Sequence, residues 1–321
     1  MPDPAAPPAA AHAPPRSIAF LGPEATFTQQ ALLGEHDLAG LEMQPLPTIA
    51  DVLAATAGGV VDLGFVPIEN AIEGTVNVTL DTLTFEADLL IQREVVMDVQ
   101  LNLLGRPDVT LDDIERVASY QVATAQCRRF LASSLPRATS VSANSTAEAA
   151  RTVAEGDDPH LAAIGTALAA EVYGLKILAA DIEDHPGNQT RFLVVARHGI
   201  PAPTGHDKTT LVVFQHADRP GSLLSILQEF AARAINLTKL ESRPTKRGLG
   251  DYCFIVDLEG HVADELVADC LRDLKSKQAD VKLLGSYPAA GAHGPGVRRD
   301  AEASWRAADA WIREIRDQIA R

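Results

Sequence analysis

Cysteine is scarce in this chain: Cys127, Cys253 and Cys270 are the only three in 321 residues. They stand far apart and are odd in number, so neither a disulfide framework nor a paired-cysteine metal motif is present. The nine histidines are scattered, without the spacing of a zinc site. No run of Lys and Arg exists to hold a phosphate backbone, and the net charge is −15. Nucleic acid is therefore not an expected partner. No apolar run approaches the ~20 residues of a membrane-spanning helix, and no internal repeat is visible. The first 16 residues are rich in Ala and Pro and lack an apolar centre, so they do not read as an export signal. Met1–Pro15 is expected to be a disordered tail, and a reduced, cytoplasmic setting is expected for the rest.

What is present is apolar material. Hydrophobic residues make up 46% of the chain, ample for packed cores, and the length suggests two domains or slightly more. The most informative stretch is Val60–Asp81. It opens as a continuous apolar run, Val60 to Val66, that suits a buried parallel strand, and Pro67 is expected to stop it. A polar packet follows: Glu69, Asn70, Glu73, Thr75 and Asn77, with Gly74 among them. Open α/β sheets bind ligands just beyond the carboxyl ends of their strands. The packet reads either as such a site or as helix capping with a solvated turn.

Strands and helices alternate from Ser17 to Ala196, which implies α/β architecture with mainly parallel sheets. Gly199–Asp207 reads as a linker. Beyond it strands are expected at Thr209–Gln215, Leu237–Ser242, Tyr252–Leu258 and Val281–Tyr287. Helices are expected at Gly221–Ala232 and Asp264–Lys275. The order βαββαβ is a ferredoxin-like module. A second linker, Ala289–Gly296, leads into a C-terminal amphipathic helix within 297–321, expected from Asp300. Its narrow stripe of Trp305, Ala308, Ile312, Ile315 and Ile319 either packs on a neighbour or belongs to a solvated tail.

Further motifs flank the polar packet. Leu21-Gly22-Pro23-Glu24-Ala25-Thr26-Phe27 precedes it. Ala125-Gln126-Cys127, Ser145-Thr146-Ala147-Glu148-Ala149-Ala150 and Asn188-Gln189-Thr190-Arg191-Phe192 follow. In this order they resemble the prephenate dehydratase family, over roughly Ser17 to Pro288. Gly221-Ser222-Leu223 and Glu241-Ser242-Arg243-Pro244 resemble the two ligand-binding signatures of the ACT regulatory domain. The resemblance implies a catalytic domain over 16–198, built of two α/β lobes similar to periplasmic binding proteins, with the site in the cleft. Lobe 1 would hold about 17–95 and 181–198, lobe 2 about 96–180, and the ACT domain 207–288. One departure is clear. The family commonly has Ser-His-Pro-Gln where Ser119-Tyr120-Gln121-Val122 stands here, so the imidazole is missing.

The resemblance also implies the reaction, loss of carbon dioxide and water from prephenate to give phenylpyruvate. Aromatisation drives it, so no cofactor and no metal are expected. The enzyme must protonate the departing hydroxyl and hold two carboxylates. Thr190, from the family's Thr-Arg-Phe motif, is the candidate for delivering the proton. It can donate a hydrogen bond directly, or relay a proton from Glu69 or Glu73 if burial raises a carboxyl pKa. Asn70 and Arg191 complete the catalytic set; Arg191 can grip a carboxylate bidentately or pair structurally with Asp184. Thr26 and the pair Ser145 and Thr146 sit at expected helix starts, where free N–H groups attract anions. Ordinary N-capping is their other reading. Glu73, Thr75, Ser119, Gln126, Asn188 and Phe192 fill out the expected substrate lining. Cys127 reads as a buried small residue rather than a nucleophile.

In the terminal module, Gly221 permits close backbone approach to a ligand. Ser222 stands where the family usually has Ala. Leu223, Asn236 and Leu237 are expected to face the same pocket, and Glu241 with Ser242 to receive an amino group. The resemblance implies phenylalanine as effector between paired modules, hence a homodimer or homotetramer through the ACT domain. Prephenate is the expected substrate; nucleic acid and membrane are not expected partners. The rival readings are an arogenate dehydratase, a non-catalytic amino-acid sensor, and a secreted solute-binding protein. No chorismate mutase helix bundle is seen, so no mutase activity is expected.

Overall fold

The computed structural model describes residues 14–215, 219–246, 248, 250–278, 280–290 and 296–318. Most of the expected N-terminal tail, Ile319 and the side chain of Trp305 lie outside the described residues. Lobe 1 runs β1 (Ser17–Leu21), α1 (Phe27–Leu33), β2 (Glu42–Leu46), α2 (Ile49–Ala57), β3 (Leu63–Asn70), β4 (Gly74–Thr75), α3 (Asn77–Asp81) and β5 (Leu90–Asp98). Lobe 2 runs β6 (Asn102–Gly105), β7 (Arg116–Ser119), α4 (Gln121–Gln126), α5 (Arg128–Ser134), β8 (Thr139–Ser142), α6 (Thr146–Glu155), β9 (Leu161–Gly165), α7 (Ala167–Tyr173) and β10 (Lys176–Ala179). The chain then returns to lobe 1 as β11 (Gln189–Ala196). The terminal module follows as β12 (Asp207–Phe214), α8 (Ser222–Ala231), β13 (Leu237–Pro244), β14 (Tyr252–Glu259), α9 (Glu265–Lys277) and β15 (Asp280–Pro288), and α10 (Gly296–Asp317) closes the chain.

Pro67 does not stop β3. The strand continues to Asn70 because its partner β11 shifts register between Arg191 and Phe192, opposite Glu69 and Pro67. A bulge tolerates a residue that cannot donate a ladder hydrogen bond. Val60, expected within the strand, is instead 71% exposed ahead of it.

Lobe 2 has its own five-stranded sheet, in the order β10-β6-β9-β7-β8. The terminal module does not stand apart from lobe 1. One sheet runs β13-β14-β12-β15-β5-β11-β3-β1-β2, with β4 attached to β3. The joint is a parallel contact of β15 with β5, where Gly285 lies opposite Ile91. A Cβ on Gly285 would come within 2.7 Å of the Ile91 carbonyl oxygen, so only glycine lets the strands approach.

The lobe 1 sheet buries both faces. On one, Ile18, Phe20, Phe65, Phe192 and Val194 pack with Leu32 of α1, and Phe65 stacks on Phe192 at 5.1 Å. On the other, Val66, Ile68, Ile91, Leu193 and Val195 pack with α2 and with Val212, Ile255, Leu284 and Tyr287 of the terminal module. The module covers its opposite face with its own helices, through Leu211, Ile226, Phe230, Val256 and Cys270. It is thus a ferredoxin-like layer laid against the two-lobed α/β domain. Helix α10 begins at Gly296 and leaves Trp311, Ile312 and Ile315 exposed. Among the described residues no helix is long and apolar enough to cross a membrane.

Candidate active site

Strands β3 and β5 both run antiparallel to β11, which lies between them. The carboxyl ends of β3 and β5 and the amino end of β11 therefore meet at one edge of the sheet. Thr190 sits there opposite Asn70. The Asn70 Nδ2 donates to Thr190 Oγ1 at 2.9 Å. The Asn70 Oδ1 in turn accepts from the backbone N–H groups of Ile72 at 2.9 Å and Glu73 at 3.0 Å. That turn fixes which end of the amide faces the threonine. Because Asn70 is the donor, the Thr190 hydroxyl keeps its own proton to offer elsewhere.

The neighbouring hinge carries a second polar pair. Asn188 Nδ2 donates to Gln126 Oε1 at 3.2 Å. Asn188 is 4% exposed, and its Oδ1 has no hydrogen-bond partner among the described residues. An unsatisfied buried acceptor costs about 1–3 kcal/mol, which a ligand hydroxyl or a water would offset. The lobes also touch where Thr166 Oγ1 donates to the Ala25 carbonyl at 3.1 Å. Near that contact a cavity of about 550 Å³ lies between them. Gly22, Glu24 and Pro47 line it from lobe 1, Arg151 and Tyr173 from lobe 2. Among the described residues Arg151 is the only cation in that wall, and the sequence reading passed over it.

Several expected site residues hold structure instead. Thr26 Oγ1 caps α1 by accepting from Gln29 N at 3.3 Å, and Ser145 Oγ caps α6 by accepting from Glu148 N at 3.0 Å. Ser119 Oγ is buried and donates to the Ile164 carbonyl at 3.1 Å. Thr146 is buried in the α6 core contact. Phe192 is core, not lining. Glu73 is exposed at the tip of the β3–β4 turn.

Glu69 and Arg191 require correction. Successive strand residues face opposite sides of a sheet, so both lie behind the Asn70–Thr190 pair. Arg191 does not meet Asp184, and its guanidinium is spent. It donates to Glu94 at 2.6 Å, to Asp257 at 2.6 Å and to Tyr287 Oη at 2.9 Å. Burial opposes its charge, but Tyr287, Asp257 and Glu94 outweigh that and raise its pKa. Glu69 lies 3.3 Å from Lys239 Nζ and 3.7 Å from Arg191. Thr75 also belongs to this rear face: its hydroxyl donates to Glu241 at 2.7 Å and accepts from Lys239 at 2.9 Å.

Glu241 is corrected for the same reason. In β13, Ser242 pairs with Phe254 and Leu240 with Val256, residues of the helix-covered core, whereas Glu241 pairs with Ile255 on the face toward lobe 1. Its carboxylate is therefore turned away from Gly221, Ser222 and Leu223 at the start of α8. A shift in pairing between Leu237 and Lys239 sets this phase. Asn236 is exposed and Leu237 half-buried at the head of the strand. Gly221 takes φ +90°, which glycine alone adopts freely.

Burial, then Glu183 and Asp184, push the Cys127 thiol up to about 12, so it stays protonated and is a poor nucleophile. Among the described residues no three His, Cys, Asp or Glu side chains are placed to hold a metal ion.

Known proteins resemble the chain along most of its length. Residues 18–200 match the family model described as prephenate dehydratase, and residues 209–276 that described as the ACT domain. A prephenate dehydratase of Mycolicibacterium vanbaalenii is 46% identical over 306 residues, covering 90% of this chain and 96% of its own. A solved prephenate dehydratase in complex with L-Phe, from Arthrobacter aurescens, is 40% identical with a TM-score of 0.85, covering 94% of this chain and 99% of that one. A structure described as a novel type of quorum-quenching acylase is 32% identical with a TM-score of 0.77, covering 86% of this chain and 98% of that one.

Proposed function

Because this chain belongs to the prephenate dehydratase family, we propose that its interlobe cleft converts prephenate to phenylpyruvate and that phenylalanine regulates it through the ACT domain. The observation that carries the reading is the Asn70–Thr190 pair at the carboxyl edge of β3. The Thr190 hydroxyl donates to the leaving 4-hydroxyl while Asn70 holds its oxygen. Expulsion of carbon dioxide supplies the electron pair that restores the aromatic ring, and the departing hydroxyl leaves as water with one proton drawn from solvent, which passes through the Thr190 hydroxyl and leaves it protonated as before. Glu69 is not the proton source, since it lies on the other face of the sheet.

Arg191 is committed to Glu94 and Asp257, and the cation proposed to attract the dianionic substrate is Arg151, in the wall of the neighbouring interlobe cavity. Arg151→Gln should raise KM several-fold and leave kcat within about twofold, because a charge that binds ground and transition states alike changes KM alone. An unchanged KM in steady-state assays would remove Arg151 from the site. The Arthrobacter aurescens structure contains L-Phe, which supports phenylalanine as effector here. The same assay tests the whole reading: purified chain should form phenylpyruvate from prephenate, and less of it when L-phenylalanine is added. No product from prephenate would overturn the assignment. The regulated enzyme is proposed to be a cytoplasmic homodimer or homotetramer joined through the ACT domain.

A further inference from the structure

The Asn70–Thr190 pair has a wall behind it. Each of the two residues has a chain neighbour on the rear face of the sheet, Glu69 beside Asn70 and Arg191 beside Thr190, and these two are themselves cross-strand partners. Both neighbours are held by the ACT domain. Lys239 Nζ binds Glu69 at 3.3 Å, and Asp257 accepts from Arg191 at 2.6 Å. Lys239 and Asp257 are in turn cross-strand partners on β13 and β14. Four charged residues thus form a closed square, two from each domain. Arg191 and Asp257 are nearly buried, with side-chain exposures of 13% and 3%. Thr75, paired with Glu69 in the small hairpin, is gripped by Lys239 and Glu241 as well.

We propose that the ACT domain is the rear wall of the active site, with Lys239 and Asp257 acting as positioning residues that hold the Asn70–Thr190 pair through Glu69 and Arg191. The proposal rests on the reading of that pair as catalytic. It follows from strand geometry. A strand is stiff over two residues, so a shift of Arg191 toward or away from Asp257 moves Thr190 by a comparable amount on the opposite face. Misplacement of a reacting group by about 1 Å can cost a hundredfold in rate. The domain therefore sets turnover by direct contact, with no long pathway between regulatory and catalytic residues.

The same interface supplies a control. Lys282 Nζ donates to the Leu83 carbonyl at 2.9 Å and to the Ala87 carbonyl at 3.0 Å, which anchors the ACT domain to lobe 1 away from the square. In the intact chain without phenylalanine, Lys239→Met and Asp257→Asn should each lower kcat by roughly tenfold to a hundredfold. KM for prephenate should stay within about twofold, and Lys239→Arg should recover most of the turnover. Lys282→Gln should keep wild-type kcat. Wild-type kcat in Lys239→Met and Asp257→Asn would overturn the proposal, and so would an equal fall in Lys282→Gln, which would report a generally loosened interface. A wild-type chain that forms no phenylpyruvate would overturn the functional reading, and the proposal with it.

Discussion

Replacement of Thr190 by alanine should cut kcat by about 10²–10⁴, the range that general acid assistance supplies, with KM for prephenate little changed. Among the described residues the hydroxyl hydrogen-bonds only with Asn70, so its removal leaves the fold intact. Thr190→Ser should keep a substantial part of the rate, because it keeps the oxygen that Asn70 orients. Loss of the Asn70 donor in Asn70→Ala should fall between the two. Initial rates of phenylpyruvate formation decide the matter. Near-normal turnover in Thr190→Ala would place the proton elsewhere. A rate loss shared by a several-fold rise in KM would indicate that Thr190 binds rather than reacts.

Arg191→Leu should destabilise the chain strongly. The guanidinium is the common partner of Glu94 and Asp257, whose side chains are 1% and 3% exposed. Removing one member of a buried ionic cluster leaves uncompensated charge and typically costs about 3–5 kcal/mol. Lys208 still holds Glu94 at 2.8 Å, whereas among the described residues Asp257 keeps only the Thr210 hydroxyl, at 2.7 Å, as a side-chain donor. Most of the loss should therefore trace to Asp257. A double variant, Arg191→Leu with Asp257→Leu, should regain part of the stability, because an apolar pair replaces the stranded carboxylate. Denaturant midpoints of the three proteins test this. A single variant as stable as wild type would mean that the cluster contributes nothing to holding the two domains together.

The two predictions concern adjacent residues, and the contrast shows what each level of description supplies. The Thr-Arg-Phe motif reads as one functional unit in sequence. In the fold its three side chains part company: Thr190 faces Asn70 at the carboxyl edge of β3, Arg191 the ACT domain, and Phe192 the stack with Phe65. The same happens in the polar packet, where Asn70 and Glu69 are divided between two faces of β3. Both motifs were located from sequence, but the assignment of each side chain to a face was not legible there. It depends on strand phase, and a bulge at Ile68, beside Pro67, shifts that phase between partners. Glu241 failed for the same reason, through the shift between Leu237 and Lys239.

Apolar runs of strand length, helix periodicity and turn residues are local signals, and from the sequence alone they marked out the alternating strands and helices and the βαββαβ module. The two lobes and the reaction came from the order of short motifs and the family they resemble. The sheets are mixed rather than mainly parallel, because β11 returns antiparallel between β3 and β5. Only the tertiary structure decided that the ACT domain lies directly behind the Asn70–Thr190 pair. Lys239 and Asp257 sit some distance apart in sequence from Glu69 and Arg191, and no local pattern encodes which charge meets which. That pairing follows from the close approach of β15 to β5 at Gly285, which continues one sheet through both domains and brings the two charged faces together.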